Sequence, residues 1–232
     1  MLEIGAGPGR FTQVLAEIGC RVLASDISEG QLELHRKYAK ELGFDGSVET
    51  RMRLDVCDLS SLDSESFDAV VCYGGPLSYV FERAGEALGE CVRVCRRGGH
   101  VLASVMSMWG GCHRHLAGVL EIPTRANRRI IETGDLLPEN WESVEHRCHM
   151  FRSGEFRSLA AEAGLRVVAM SASNFLSIHA DDCLSSMAEN SDEYREFLRM
   201  ETEACRQPGC LDAGTHIILV GKRSGGQADR AS

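Results

Sequence analysis

A glycine-spaced turn at the start of the chain limits what can follow it. The apolar stretch Leu2-Glu3-Ile4 runs into Gly5-Ala6-Gly7-Pro8-Gly9-Arg10, and one amphipathic segment later comes Arg21-Val-Leu-Ala-Ser-Asp26, an apolar strand with an acid at its tip. This is the order of a βαβ unit. Glycines let the backbone turn sharply and approach a ligand that a Cβ would push away, while Asp26 can accept hydrogen bonds from ribose hydroxyls. A dinucleotide fingerprint needs its third glycine five residues after the first, and Arg10 stands there instead.

The alternation continues along the chain. Phe11, Val14, Leu15 and Ile18 recur at helical spacing before Gly19, which predicts a first crossover helix. Ser28-x-x-Gln31 reads as a capping box for a second helix with an apolar side of Leu32, His35, Ala39 and Leu42, ending at Gly43. His35 is read as a packed or partly exposed helix residue, not a ligand. Residues 48–54 alternate as a strand, and residues 67–73 form an apolar run typical of a strand buried on both faces. Val80, Ala84, Ala87, Cys91 and Cys95 carry a helix toward Arg96-Arg97-Gly98-Gly99, where the glycines are expected to turn the chain into a strand over residues 101–106. Phe156, Leu159, Ala160 and Ala163 mark a helix stopped by Gly164, followed by strands over residues 165–171 and 216–221.

Four stretches carry a family resemblance. Residues 2–10 resemble the first motif of class I S-adenosylmethionine-dependent methyltransferases, which has an acid two positions before its first glycine. Asp26-Ile27-Ser28 is similar to the family's ribose-binding acid and its adenine-packing neighbour, Asp55-Val56-Cys57-Asp58-Leu59 to its adenine-reading segment, and residues 66–73 to its fourth strand. The resemblance implies an α/β fold of Rossmann-like type: a doubly wound, seven-stranded, mostly parallel sheet with an antiparallel last strand and helices on both faces. It implies S-adenosyl-L-methionine as cofactor. Glu3 is then expected to buttress the methionine-side loop, Gly5, Ala6, Gly7 and Gly9 to admit the cofactor backbone, and Asp26 to bind the ribose diol. Ile27 packs on adenine, Asp55 and Val56 meet the adenine edge, and Tyr73 and Gly74 sit beside the methionine moiety. Plain structural roles stand beside these: Glu3 caps a helix, Asp55 ends a strand, Tyr73 packs.

The implied reaction moves a methyl group to an O, N, C or S atom of a small-molecule acceptor. Tyr73-Gly74-Gly75-Pro76 replaces the Asn-Pro-Pro-Tyr pattern of methyltransferases acting on nucleobase or glutamine amides, which counts against those acceptors. One domain over residues 1–223 is expected, with insertions at about 109–147 and 174–212 that begin at strand ends and roof the acceptor pocket. Residues 224–232 read as a disordered tail.

Charge and cysteine content narrow the partners and the compartment. Twenty-five Lys and Arg against thirty-four Asp and Glu leave a net charge of -9, which repels phosphate backbones and disfavours a nucleic-acid substrate. Arg125, Arg128 and Arg129 are the best candidates for a local basic patch, though a short basic run suits a solvated helix face. The ten cysteines include no Cys-x-x-Cys, and neither Cys91/Cys95 nor Cys205/Cys210 has histidines at zinc-finger spacing, so core filling, no metal and a reduced cytoplasmic protein are expected. An arsenic or thiol methyltransferase is a narrower variant prompted by those cysteines. No signal peptide and no apolar run of membrane-spanning length is evident.

No catalytic residue is singled out. If the acceptor needs a base, Tyr79, His113, His115, His149, His179 and His216 are the titratable choices. Two further readings stand beside the methyltransferase: a NAD(P)-dependent oxidoreductase, disfavoured by Arg10 and by the acids at 26 and 55, and a cofactor-binding but inactive regulatory protein. Family members usually carry a helix and more strand before the first motif, which here begins at residue 2. The expectation is that a longer form carrying such a segment melts higher and holds its cofactor more tightly than residues 1–232, and equal melting temperatures and affinities refute it.

Overall fold

The computed structural model describes residues 1–139, 147–189 and 191–225. Parts of both expected insertions and most of the expected tail, residues 226–232, lie outside the described residues. One seven-stranded sheet organises the chain. Its strands are β1 (Leu2–Ile4), β2 (Val22–Asp26), β3 (Val48–Arg53), β4 (Phe67–Cys72), β5 (Cys95–Met106), β8 (Leu165–Ser173) and β9 (His216–Arg223), with β6 (Asp135–Leu136) and β7 (Cys148–His149) forming a small separate ladder. The order across the sheet is β3-β2-β1-β4-β5-β9-β8, mostly parallel with one antiparallel strand, as the family resemblance implied. The order reverses between β1 and β4, which is the topological switch point of a doubly wound sheet.

Two compact units divide the chain, and the division falls within β5, β8 and β9. The first comprises Met1–Ser104, Ser158–Val168 and the stretch from Val220. Helices α1 (Arg10–Glu17), α2 (Glu29–Glu41), the short α3 (Pro76–Tyr79) and α4 (Ala84–Val94) belong to it. Ser28 caps α2 as expected, its Oγ accepting from the Gln31 N–H at 3.4 Å. Ala6, Leu15, Val22, Ala24 and Val71 form an apolar cluster there. The second unit holds Val105–Arg157 and Ala169–Leu219, including α5 (Met108–Arg114), α6 (Leu116–Glu121), α7 (Thr124–Thr133), α9 (Asp181–Ser185) and α10 (Asp192–Cys205). Helix α8 (Ser153–Glu162) runs across the division. Arg125, Arg128 and Arg129 lie exposed on α7, a solvated face.

Several local expectations need correction. On α1 the buried positions are Thr12 and Leu15, while Val14 and Ile18 are more than half exposed, because a polar contact described below turns the Thr12 side inward. Leu42 is exposed rather than packed. β4 is fully buried only over its last three residues. Cys95 begins β5 instead of ending α4, so Cys91 and Cys95 do not share a helix face. Residues 96–99 are not a turn before the strand but an irregularity inside it: Phe67 pairs with Cys95 and Ala69 with His100. Gly98 takes a left-handed φ of 73°, and a Cβ on Gly99 would sit 2.6 Å from the Asp68 carbonyl oxygen.

Two glycine substitutions should therefore move stability in opposite directions. Gly99→Ala forces β4 and β5 apart and is expected to cost roughly 1–3 kcal/mol. Gly89→Ala, within α4 and with nothing within 4 Å of the added Cβ, is expected to gain roughly 0.5–1 kcal/mol. Thermal melts of both variants check the pair of signs.

Candidate functional site

Parallel strands leave their carboxyl ends together, and a cavity of about 350 Å³ opens there in the first unit. Its walls come from Ile4 at the end of β1 and Gly5 after it, Asp26 at the end of β2 and Ile27 after it, and Leu54, Asp55 and Val56 after β3. Gly74 after β4, with Pro76, Tyr79 and Val80 from α3 and its end, closes the other side. Most of this surface is apolar, with two carboxylates on neighbouring strand tips, and the volume suits a small organic ligand. The structure thus brings together Gly5, Asp26, Ile27, Asp55, Val56 and Gly74. Glu3, Ala6, Gly7, Gly9 and Tyr73 lie outside the lining. Sequence reading missed Ile4, Leu54, Pro76 and Val80 as wall residues, and had Tyr79 only as a possible base.

The glycine loop is held by backbone geometry and by one carboxylate. Gly5 has a φ of 69°, and a Cβ there would meet Pro76 Cγ at 2.7 Å, so the two sides of the cavity approach too closely for any side chain. Asp26, 9% exposed, accepts from the Gly7 N–H at 3.0 Å through Oδ2 and from the Ser28 N–H at 2.9 Å through Oδ1. Ala6 donates to the Ser25 carbonyl at 2.9 Å and Gly9 to that of Ala6 at 3.0 Å. Asp55 Oδ1 accepts from the Cys57 N–H at 2.9 Å, fixing the turn after β3. The Gly74 N–H donates to Ser104 Oγ at 3.1 Å. The Tyr73 ring meets Phe11 edge-on at 5.3 Å, and burial raises its phenol above the usual range.

Behind the loop lies a buried polar chain. Thr12 Oγ donates to Glu3 Oε2 at 2.5 Å, and His35 Nε2 lies 2.8 Å from Thr12 Oγ. Arg51 Nε donates to His35 Nδ1 at 2.9 Å, and its Nη2 meets Asp45 Oδ1 at 2.6 Å. Because Nδ1 accepts from Arg51, the proton of a neutral imidazole sits on Nε2 and points to Thr12. Glu3, Thr12 and His35 are each at most 1% exposed. Burial pushes the Glu3 carboxyl up to about 7 although the Thr12 hydrogen bond pulls it down. Burial, reinforced by Arg51, pushes the His35 imidazole down to about 4. Glu3 Oε1 is buried with no hydrogen-bond partner among the described residues. His35 was read as a packed helix residue, and it is packed; its partners were not foreseen.

Comparison with known proteins finds its likenesses in the segment that builds this cavity. A model described as a methyltransferase domain matches residues 2–103. That match takes in a little under half of the chain. A demethylmenaquinone methyltransferase of Clavibacter sepedonicus is 38% identical over 102 residues, 44% of this chain and 39% of that protein. A ubiquinone biosynthesis O-methyltransferase of Alkalilimnicola ehrlichii is 32% identical over 108 residues, 46% of this chain and 41% of that protein. The matched stretch spans about two fifths of these curated relatives. The S-adenosylmethionine-dependent methyltransferase of Mesorhizobium loti superposes with a TM-score of 0.60 over 96% of this chain and 89% of that one, at 20% identity, a likeness of fold. The relatives matched are methyltransferases, and the solved neighbour is named for its dependence on S-adenosylmethionine.

Of the titratable candidates, Tyr79 alone belongs to the cavity wall; His113, His115, His149, His179 and His216 belong to the second unit. His149 is gripped by Asp135 at 2.7 Å and Glu155 at 2.8 Å, and although burial opposes it, the two carboxylates raise its pKa. Burial lowers His216. The His113 and His179 rings meet edge-on at 4.9 Å. No group of three or more His, Cys, Asp or Glu able to hold a metal occurs among the described residues.

Glu3 and His35 contribute opposite pH dependences to folding. The folded Glu3 keeps a proton that the unfolded chain loses above 4.5, so its contribution falls as pH rises from about 4.5 to 7. The folded His35 refuses a proton that the unfolded chain takes below 6.5, so its contribution falls as pH drops from 6.5 to about 4. The two slopes largely cancel in the parent. Glu3→Gln is expected to leave a stability that rises with pH through that window, and His35→Gln one that falls, each by on the order of 3 kcal/mol. Urea denaturation at pH 4.5, 5.5, 6.5 and 7.5 reads both.

Proposed function

We propose that this chain is an active methyltransferase that binds S-adenosylmethionine in the cavity at the carboxyl ends of β1 to β4 and methylates a small molecule. The observation that carries the reading is the pair of strand-tip carboxylates, Asp26 and Asp55, facing an apolar cavity beside a glycine that no side chain can replace. The residues present fit the cofactor. Each Asp26 oxygen accepts only one backbone N–H, which leaves lone pairs for two ribose hydroxyls. Ile27, 61% exposed in the cavity wall, offers an apolar face to a purine, and Asp55 with Val56 offers its edge an acceptor and a backbone. Gly5 and Gly74 leave room for the methionine arm, and Glu3 and Tyr73 lie behind it.

When bound, the cofactor supplies a methyl group on a positively charged sulfur, activated for attack by an acceptor lone pair. The chain's own share is then binding, alignment and exclusion of water, which positioning can make large without a strong base. Tyr79, on the wall, is the one of the candidate bases named from the sequence that lines this cavity. The relatives named above act in quinone metabolism, but they match only the cofactor-binding half, so the acceptor itself is not carried over from them. The net charge of -9 supports a small molecule over a phosphate polymer.

The same reading takes residues 1–223 as one domain with insertions at about 109–147 and 174–212, supported by a fold likeness that extends over 96% of the chain. It assigns the protein to the cytoplasm. Ten cysteines present as free thiols support that location, and no helix among the described residues is long and apolar enough to cross a membrane.

Asp26→Ala is expected to weaken S-adenosylmethionine binding by roughly 10- to 100-fold, the loss of hydrogen bonds to a charged group. Calorimetric titration measures it, and unchanged affinity overturns the site. Transfer of labelled methyl from the cofactor to any component of a metabolite extract tests activity; binding without any transfer favours the regulatory reading.

A further inference from the structure

The buried chain behind the glycine loop has a direction. Arg51 donates to His35, His35 to Thr12 and Thr12 to Glu3, so every hydrogen bond delivers its proton toward one carboxyl. Among the described residues nothing answers on the far side, where Glu3 Oε1 is buried without a hydrogen-bond partner. His35 also packs under the loop itself, its Cδ2 standing 3.1 Å from where a Cβ on Gly9 would be. Glu3 immediately precedes Ile4 and Gly5, which line the cavity. A charge placed in that cavity is then one residue along the strand from an acid that is 1% exposed and so little screened by water.

We propose that Glu3 senses the positive sulfur of the cofactor, giving up a proton to solvent when S-adenosylmethionine binds and regaining one when S-adenosylhomocysteine remains, with Thr12, His35 and Arg51 as the positioning residues that make this possible. The inference rests on the cofactor reading above. Two opposing influences hold Glu3 near its balance point. Burial favours the neutral acid, while the hydrogen bonding from Thr12, itself held in place by His35 and Arg51, favours the carboxylate. Near pH 7 a further cation shifts it to the charged form. With S-adenosylhomocysteine, which lacks the sulfonium charge, the Glu3 carboxylate would be a buried charge with no added cation to balance it. The charged groups around the relay are Arg51, Asp45, Arg36 and Asp26, all acting on His35, while Thr12 supplies the side-chain hydrogen bond to Glu3 itself.

Linkage fixes the sign. S-adenosylmethionine should bind more tightly as pH rises through 7, and S-adenosylhomocysteine, lacking the sulfonium, should respond less. The test is calorimetric titration of the full chain with each ligand at pH 6, 7 and 8, in two buffers of different ionisation heat, for the parent, Glu3→Gln and Arg51→Met. In the parent, proton release at pH 7 is expected with S-adenosylmethionine and little with S-adenosylhomocysteine, and the affinity ratio should climb by up to about tenfold from pH 6 to 8. Glu3→Gln should abolish both the differential release and the climb. Arg51→Met, which keeps Glu3 but cuts the relay at its source, should move the release to higher pH. Equal proton counts for the two ligands, or an unchanged climb in Glu3→Gln, overturns the sensor while leaving the cofactor site intact. Failure of the parent to bind either ligand overturns the cofactor reading, and the sensor with it.

Discussion

The grip of one aspartate on two backbone amides organises the cavity. Asp26 ends β2, yet its oxygens hold the Gly7 N–H of the loop after β1 and the Ser28 N–H that opens α2. A carboxylate with little exposure needs such donors, and the two donors with the strand tip that receives them are three pieces of chain that must meet in one place. The glycine turn, the strand tip and the start of the second helix are thereby set relative to one another. A ligand hydroxyl added to Asp26 meets an oxygen already fixed in position, so little ordering remains to be done at binding.

Beneath that grip the interior is divided between apolar packing and a polar chain. Leu15, Val22, Ala24 and Val71 fill space in the usual way, while Glu3, Thr12 and His35 occupy neighbouring volume with hydrogen bonds. An interior acid with a bare oxygen lowers stability, and buried polar groups with incomplete partners are found where a site does something other than hold the fold together. The outward rotation of Val14 and Ile18 on α1 follows from the same choice, since the helix presents Thr12 to Glu3 instead of its more hydrophobic flank.

How far the chain could be read in advance depended on whether the signal was local. Gly5, Asp26, Ile27, Asp55, Val56 and Gly74 each stand at the end of a parallel strand, and strand ends announce themselves through apolar runs closed by glycines and acids. Parallel topology then gathers them without any further information. Thr12, His35 and Arg51 come from two helices and an edge strand, and their contacts depend on helix rotation that a periodicity of apolar residues does not resolve. The available hint was a threonine and a histidine on faces otherwise apolar. α3 contributes Pro76 and Tyr79 from four residues, too short to show any period. The boundary at Cys95 was misplaced because paired glycines signal a turn and equally a strand irregularity.

That irregularity reaches the cavity floor. Between Phe67 and Ala69 on β4 the partner strand advances from Cys95 to His100, an odd surplus of three residues. Side chains alternate along a strand with a period of two, so the surplus reverses which residues downstream face which way. Ser104, whose hydroxyl receives the Gly74 amide, owes its orientation to that parity. Insertions or deletions among residues 96–99 that slide the strand would cost the hydroxyl beneath Gly74 in either case: a slide of one brings Ala103 or Val105 from the opposite face, and a slide of two brings Leu102 or Met106 from the same face.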